Sequence, residues 1–413
     1  MEARWEPDVL GDGYEATVLD LGHDEEGPLH ATLVRYTPPR TPRVLIRRAA
    51  AALLRRAPGQ DVLPLADADV LYVHGWNDYF FQTHVAEAFA RLGARFFALD
   101  LRKYGRSLRP DQTAGFVTDL AECDQEIEMA LGLMETAARG RRLILMGHST
   151  GGLILSLWAH RHRGRADALI LNSPWLEFQA AATGRKILAP LVEVRARRDP
   201  RAPVTSIVLG NYATSISAER RGEWTYNTEW KRDRPAEPRA GWLAAIFAGQ
   251  ARIEDGIDVG CPVLSMMSSA STLRSRWTEA MMRTDCVLEV NHIARASLKL
   301  GPAVTVVRLE GAIHDVFLSA APVRQEAERQ MVRWLCGYGR MPGSAARRAA
   351  AASPVTDIAP AGGSPEADGV ASGNRGSSSP AGTDPAGRID RAGRIDRTGR
   401  TGRGPGNTAD ADA

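Results

Sequence analysis

Cysteine is scarce in this chain: four residues in 413, at positions 123, 261, 286 and 336. Their spacing matches neither a disulfide framework nor a paired-thiol metal site, so no metal is expected and the fold has to be held by its core. A surplus of one charge is missing as well. The 52 Lys and Arg nearly balance the 49 Asp and Glu, leaving a formal charge of +3. That balance supplies no electrostatic footprint for nucleic acid. Long apolar runs are absent: none reaches the roughly 20 residues that a membrane-spanning helix needs, and no N-terminal apolar run resembles a signal peptide. Cytoplasmic residence is therefore the expectation. What is present is a hydrophobic content of 44%, ample for a large core.

The most informative stretch is Gly147-His148-Ser149-Thr150-Gly151-Gly152. Leu143-Ile144-Leu145-Met146 before it reads as a short buried strand, and Leu153 to Ala159 after it reads as a helix. A Gly-x-Ser-x-Gly between strand and helix is the nucleophile elbow, a tight turn that lifts the serine hydroxyl above the sheet edge. Small flanking residues are required because the turn forces strand and helix together. Ser149 is thus the candidate nucleophile.

A hydroxyl is a weak nucleophile, so Ser149 needs a base and the base needs an orienting carboxylate. His23, His30, His74 and His84 precede the serine, and His148 adjoins it; His160 and His162 fall far along the following helix. His314 follows the β-branched run Val304 to Leu309 on a Gly-containing loop, where a catalytic histidine belongs. His292 is the rival, in what reads as a helix start. For the acid, Cys261-Pro262-Val263-Leu264-Ser265-Met266-Met267 reads as the strand after which it should come, yet Ser268 to Thr272 holds no carboxylate. Asp285 is the first candidate, behind an inserted helical turn or two at Leu273 to Met282; Asp315 and Glu289 remain rivals. Asp315 has the handicap that a sequence neighbour of the imidazole generally points away from it. For the oxyanion, the backbone N–H of Thr150 and that of Trp76, in the loop after the strand Asp69 to Val73, are the expected donors.

These residues carry a resemblance. The chain resembles the α/β-hydrolase superfamily, and within it the lysophospholipases, monoacylglycerol lipases and serine aminopeptidase-like hydrolases. The matching pieces are His74-Gly75-Trp76, Asp100 to Ser107, the elbow, Asn172-Ser173-Pro174-Trp175, Thr284 to Glu289 and Gly311-Ala312-Ile313-His314, covering roughly residues 65 to 337. The family's acid motif, a small residue, Asp, any residue, two aliphatics and an acid, maps onto Asp285 with an insertion before it. Lys103 departs from the resemblance, standing where the family usually has Gly, and is expected to alter a surface turn.

The architecture expected is α/β: a mostly parallel central sheet with helices on both faces and an inserted helical cap. Tyr14 to Leu21 and His30 to Tyr36 alternate as an antiparallel hairpin. Later strands are expected at 94–99, 143–146, 168–171, 262–266 and 304–309, and helices at 81–92, 118–138 and 322–335. Residues 1–64 form the hairpin and a variable basic segment, 65–172 and 261–341 the hydrolase core, and 173–260 the cap. The cap holds Trp175, Trp224, Tyr226, Trp230, Trp242 and Phe247; Trp175 and Tyr226 are candidates for substrate contact. Residues 42–58 set apolar positions against arginines at helical spacing, which suits a surface helix or weak contact with an anionic membrane. From 342 to 413 the composition is that of a low-complexity tail that cannot bury enough surface to fold.

The function expected is a serine hydrolase of carboxylic esters, lipid-like acyl esters favoured, needing no cofactor. Two other readings stay open. A peptidase or acyltransferase would use the same three residues, and a silent member of the fold would act as a binding or scaffold protein.

Overall fold

The computed structural model describes residues 3–39, 63–179, 181–204, 210–235 and 237–338. The basic segment at 42–58 and the tail from 342 lie outside the described residues.

The chain opens with β1 (Glu6–Pro7), β2 (Tyr14–Asp24) and β3 (Gly27–Tyr36), an antiparallel edge. The alternation of buried and exposed positions along β2 is what a sheet with one covered face requires. β4 (Ala68–Val73), β5 (Arg95–Asp100), β6 (Arg142–His148), β7 (Ala168–Asn172), β8 (Val263–Ser268) and β9 (Val304–Leu309) then pair in parallel. Among the described residues the sheet has nine strands in the order β1-β2-β3-β5-β4-β6-β7-β8-β9. β4, β7 and β8 are buried at every position, as strands covered on both faces must be.

Two helical layers do the covering. On one face α1 (Thr83–Arg91) and α8 (Ala321–Tyr338) lay Val85, Phe89, Met331 and Leu335 against Val70, Tyr72, Ile144 and Met146. On the other, α2 (Asp124–Met134) and α3 (Thr150–Arg161) lay Ile127, Ala130, Leu153 and Trp158 against Leu71, Val73, Leu145 and Leu171. Successive residues of one strand thus belong to different cores, the period of two that defines a strand.

Between β7 and β8 come α4 (Ala181–Arg198), α5 (Asn211–Ile216) and α6 (Ala240–Glu254), and no strand of the sheet among the described residues. They differ in what they bury. α6 sends Trp242, Ile246 and Ile253 into the same core as α2 and α3. α5 and the loop after it instead lie over the C-terminal edge of the sheet, where Ile216, Tyr212, Trp224, Tyr226 and Trp230 meet Tyr79, Phe81 and Leu318. α7 (Val290–Ser297) follows the acid-bearing loop and begins at Glu289, whose carboxylate caps the Asn291 amide.

Three expectations shift. The helix foreseen from Thr118 to Ala138 is a 3₁₀ turn, Leu120–Cys123, followed by α2, because Asp119 and Glu122 form a capping box and Glu135 ends the helix in the left-handed region. The helix foreseen at Phe81 starts at Thr83, with Gln82 spending its side chain elsewhere. Lys103 is not on a surface turn: it is 1% exposed, with a φ of 60° that explains a preference for Gly there. Its ammonium donates to Asp24 Oδ2 at 2.6 Å and Glu26 Oε2 at 2.5 Å, so the tip of the β2–β3 hairpin folds over it. Burial would raise both carboxyls, but the Lys103 ammonium keeps them below their usual range.

Candidate active site

Ser149 sits between β6 and α3 at φ 51°, ψ −117°, a conformation that a non-glycine residue adopts only where its surroundings impose it. They do so with backbone hydrogen bonds. The Ser149 N–H donates to the Asn172 carbonyl, and its own carbonyl accepts from Gly152 and Trp175, all at 3.0 Å. A Cβ on Gly151 would run into the carbonyls of Val73 and His74, and one on Gly152 would stand 2.8 Å from Pro174. Asn172-Ser173-Pro174-Trp175 is therefore the brace of the elbow, which gives that motif its physical meaning.

The loop after β9 brings His314 to the same edge, and its Nδ1–H donates to Asp285 Oδ2 at 2.9 Å. The carboxylate is fully buried, and its other oxygen accepts from the Val287 and Leu288 amides at 2.8 Å each. Residues 269–284 leave β8 and return, closed at the base by a bridge between Ser271 and Asp285. The insertion therefore puts Asp285 beside the strand end despite its distance in sequence. The rivals have other duties. Asp315 accepts from Asn172 Nδ2 at 2.6 Å, Gln82 Nε2 at 2.9 Å and the Phe317 amide at 2.9 Å, facing away from the imidazole. Glu289 caps α7, and His292 lies within that helix.

On the other side of Ser149 runs the loop after β4. A Cβ on Gly75 would be 2.9 Å from the Ser149 Cβ, so only glycine lets the loop pass this close. His74 Nε2 accepts from the Leu101 amide at 3.1 Å, which assigns the proton to Nδ1, and Nδ1 donates to the Gly75 carbonyl at 2.7 Å. Carbonyl and N–H of one trans peptide point in opposite directions. Anchoring the Gly75 carbonyl on His74 therefore turns the Trp76 N–H the other way. Thr150 is the first residue of α3, whose N–H has no acceptor within the helix. Burial holds the His74 imidazole below its usual range, keeping it neutral for this role.

Ser149, His314 and Trp76 line one cavity of about 190 Å³ with Tyr226, Tyr212, Val287 and Cys286. Trp175 does not line it; it packs against Trp242, ring centres 5.9 Å apart. Three further polar residues at the cavity had no signal in the sequence. His148 brings Nδ1 to 3.3 Å from Asp78 Oδ2, and Lys231 places its ammonium 2.9 Å from Asp78 Oδ1. All three are at most 5% exposed. Asp78 and Lys231 are 153 positions apart in the chain, so no local pattern links them. Among the described residues no group of His, Cys, Asp and Glu is arranged to hold a metal ion, and no helix is long and apolar enough to cross a membrane.

A doubly covered parallel sheet with a strained serine after a central strand, and a carboxylate-bound histidine on a later strand's loop, defines the α/β-hydrolase superfamily. The family model described as serine aminopeptidase, S33, matches residues 65–283, and the chain belongs to that family. A monoacylglycerol lipase of Mycolicibacterium smegmatis is 26% identical over 139 residues, 33% of this chain and 48% of the relative. The 1-acylglycerol-3-phosphate O-acyltransferase ABHD5 of Rattus norvegicus is 32% identical over 79 residues, 19% of this chain and 21% of the relative. The chain thus spans about half the length, or less, of the curated relatives it matches. Among solved structures, a soluble variant of monoglyceride lipase from Saccharomyces cerevisiae superposes with a TM-score of 0.51 at 16% identity, over 81% of this chain and 94% of that one. A carboxyl esterase from Bacillus coagulans gives 0.52 at 14%, over 78% and 99%. At such identities the likeness is one of fold.

Proposed function

We propose that the protein is a serine hydrolase of carboxylic esters that works through an acyl-enzyme on Ser149. The observation that carries this reading is the meeting, at one small cavity, of a strained serine and a histidine held by a buried carboxylate. With Nδ1–H committed to Asp285, the free Nε2 of His314 is the lone-pair nitrogen, suited to take the Ser149 proton. Oγ attacks the acyl carbonyl, and the N–H groups of Trp76 and Thr150 receive the developing oxyanion. The collapsing intermediate expels the alkoxide, which His314 protonates. Water, deprotonated by His314, then attacks the acyl-enzyme and releases the acid. Asp285 keeps the imidazole in the right tautomer and stabilises its charged form.

Lipid-like acyl esters, monoacylglycerols or lysophospholipids, are the favoured substrates, in keeping with the names of the similar lipases. The cavity, about 190 Å³, is smaller than the ~300–1,000 Å³ of ordinary ligand pockets. It accommodates a short acyl group as it stands, and a long chain requires the covering segment 210–235 to move. We read 173–260 as the cap in that sense, with α6 as its anchor and 210–235 as its working part. Transfer of the acyl group to an alcohol instead of water uses the same residues, and the similarity to an O-acyltransferase favours keeping it as a second reading. A p-nitrophenyl ester series from acetate to palmitate, with and without added glycerol, tests both. Hydrolysis present in the wild type and absent from Ser149→Ala supports the hydrolase, glycerol-dependent acylglycerol formation supports transfer, and equal rates in both proteins refute the reading.

A further inference from the structure

The segment that roofs the cavity is bonded at several points, to Arg274, Met281 and Leu318 among them, and its residues 227–232 are tied to the loop that carries Trp76. Four contacts do this, between residues 227–232 of the roof and 77–79 of the loop. Asn77 Nδ2 donates to the Arg232 carbonyl at 2.7 Å, and the Arg232 N–H donates back to Asn77 Oδ1 at 3.4 Å. The Asn227 N–H donates to the Tyr79 hydroxyl at 2.8 Å, and the Lys231 ammonium pairs with Asp78 at 2.9 Å. Asn77 adopts φ 52°, in the left-handed region that Asn enters more readily than most residues.

The ion pair among these contacts is unusual in kind. Asp78 is 1% exposed and Lys231 5%, and both face the cavity where Ser149 stands. Burial would raise the Asp78 carboxyl, but the Lys231 ammonium, with the His148 ring, keeps it well below the usual carboxylate range. The carboxylate is therefore an anion, two residues from Trp76, with Oδ2 3.3 Å from the ring of the residue before the nucleophile. An uncompensated anion at that place would oppose the negative charge that ester cleavage must build on the acyl oxygen. Lys231 is the cation that cancels it.

We propose that Lys231 is a positioning residue for ester cleavage: it neutralises the buried Asp78 carboxylate and pins the 76–79 loop so that the Trp76 N–H faces the acyl oxygen. This rests on the hydrolase reading of Ser149. The roof is then a component of the oxyanion site and not only a cover. Opening it would withdraw the cation and loosen the loop together, so that substrate enters an inactive site and closure activates it.

The test uses the full chain, with p-nitrophenyl acetate turnover and the rate of Ser149 labelling by a fluorophosphonate. Lys231→Met should lower kcat by about 10- to 100-fold, at or below the lower end of the roughly 10²–10³-fold that loss of an oxyanion donor itself costs, with KM changed by less than about threefold. Because this variant strands a buried anion and can fold poorly, Asp78→Asn/Lys231→Met is made beside it as a neutral pair. The double variant should regain most of the lost kcat and labelling rate, although its ammonium is still absent. Full activity in Lys231→Met, or a loss that appears in KM and not in kcat, overturns the proposal. So does a double variant that folds, by its melting temperature, and stays as slow as Lys231→Met. A wild type that neither turns over ester nor takes the label, while Ser149→Ala behaves identically, refutes the hydrolase reading and this inference with it.

Discussion

The floor and the roof of the cavity are built by different means. The floor consists of strand ends: the elbow after β6, the loop after β4, the acid after β8 and the histidine after β9. Its side chains are placed by the backbone, which the sheet register and close glycine contacts leave no room to move. The roof, residues 210–235, has one short helix, α5, and is tied down by side chains: Lys231 to Asp78, Asn77 to Arg232, Trp224 Nε1 to the Leu318 carbonyl at 2.7 Å. A site held by backbone geometry tolerates little variation and keeps its atoms in place. One held by side-chain pairs can open and can change specificity without disturbing the sheet.

If the floor carries the chemistry, its removal should abolish activity while the roof stays folded. Ser149→Ala should lower ester turnover by on the order of 10⁴-fold or more and abolish fluorophosphonate labelling, with an unchanged melting temperature. Residual turnover within a few-fold of wild type would move the chemistry to another residue.

The next test separates the two fully buried carboxylates that competed as partner of His314, Asp285 and Asp315. Asp285→Asn should cost about 10²–10⁴-fold in kcat by losing the tautomer control of the imidazole, with little loss of stability, since the Val287 and Leu288 amides still find an oxygen. Asp315→Asn should do the reverse. Its carboxylate accepts from Asn172, Gln82 and Phe317, so an amide NH₂ would meet a donor and cost about 1–3 kcal/mol of stability. Kinetics and urea melts on the two variants check the assignment. Equal kinetic losses would mean that both carboxylates serve the imidazole.

The floor was largely legible in the sequence because its rules are local. Gly-x-Ser-x-Gly between an apolar run and a helix has one compact solution, and the strand before His314 is marked by its β-branched residues. The pairing of Asp285 with His314 was legible only through the motif at Asp285, since its spacing reflects an excursion whose closure by the Ser271–Asp285 bridge leaves no sequence trace. The roof was not legible. Its aromatic content signalled a covering segment, but Asp78, His148 and Lys231 meet across long separations, and a lysine beside Trp230 reads as an ordinary surface residue. Lys103 failed in the same way: nothing local says that two hairpin carboxylates will bury it.

The roof should govern selectivity. Tyr226 lines the cavity, lies 5.5 Å from the Phe81 ring and bonds Asp233 Oδ1 at 3.2 Å through its hydroxyl. Tyr226→Ala enlarges the pocket from the roof side and should shift kcat/KM toward longer p-nitrophenyl esters by roughly tenfold, the worth of about one buried methylene or two. An unchanged chain-length profile would place the acyl group elsewhere in the cavity.

The smallest effect expected is one of pH, and it again distinguishes floor from roof. His74 is buried beneath the loop that carries Trp76, and the bond from the Leu101 amide to its Nε2 requires the neutral ring. Burial lowers its pKa below the ordinary value of 6.5, although the nearby Asp100 and Asp78 pull the other way and Lys231 adds to the lowering. As pH falls through about 6.5, the unfolded chain therefore takes up a proton that the folded chain refuses. The unfolded state then binds more protons, so stability is lost as pH falls below that value. His84, half-buried and lowered, adds a contribution of the same sign, as does His30. Asp78, the floor residue that pairs with the roof's Lys231, has a lowered carboxyl instead, so its contribution is lost only near or below the ordinary value of 3.8. Between pH 7.5 and 5.5 the melting temperature should fall by a few degrees. His74→Asn should reduce the slope of that fall while lowering the melting temperature at pH 7.5, since Asn cannot span both bonds. A slope identical in wild type and variant would assign the loss to His84 and His30 and leave the protonation of His74 without effect on the floor.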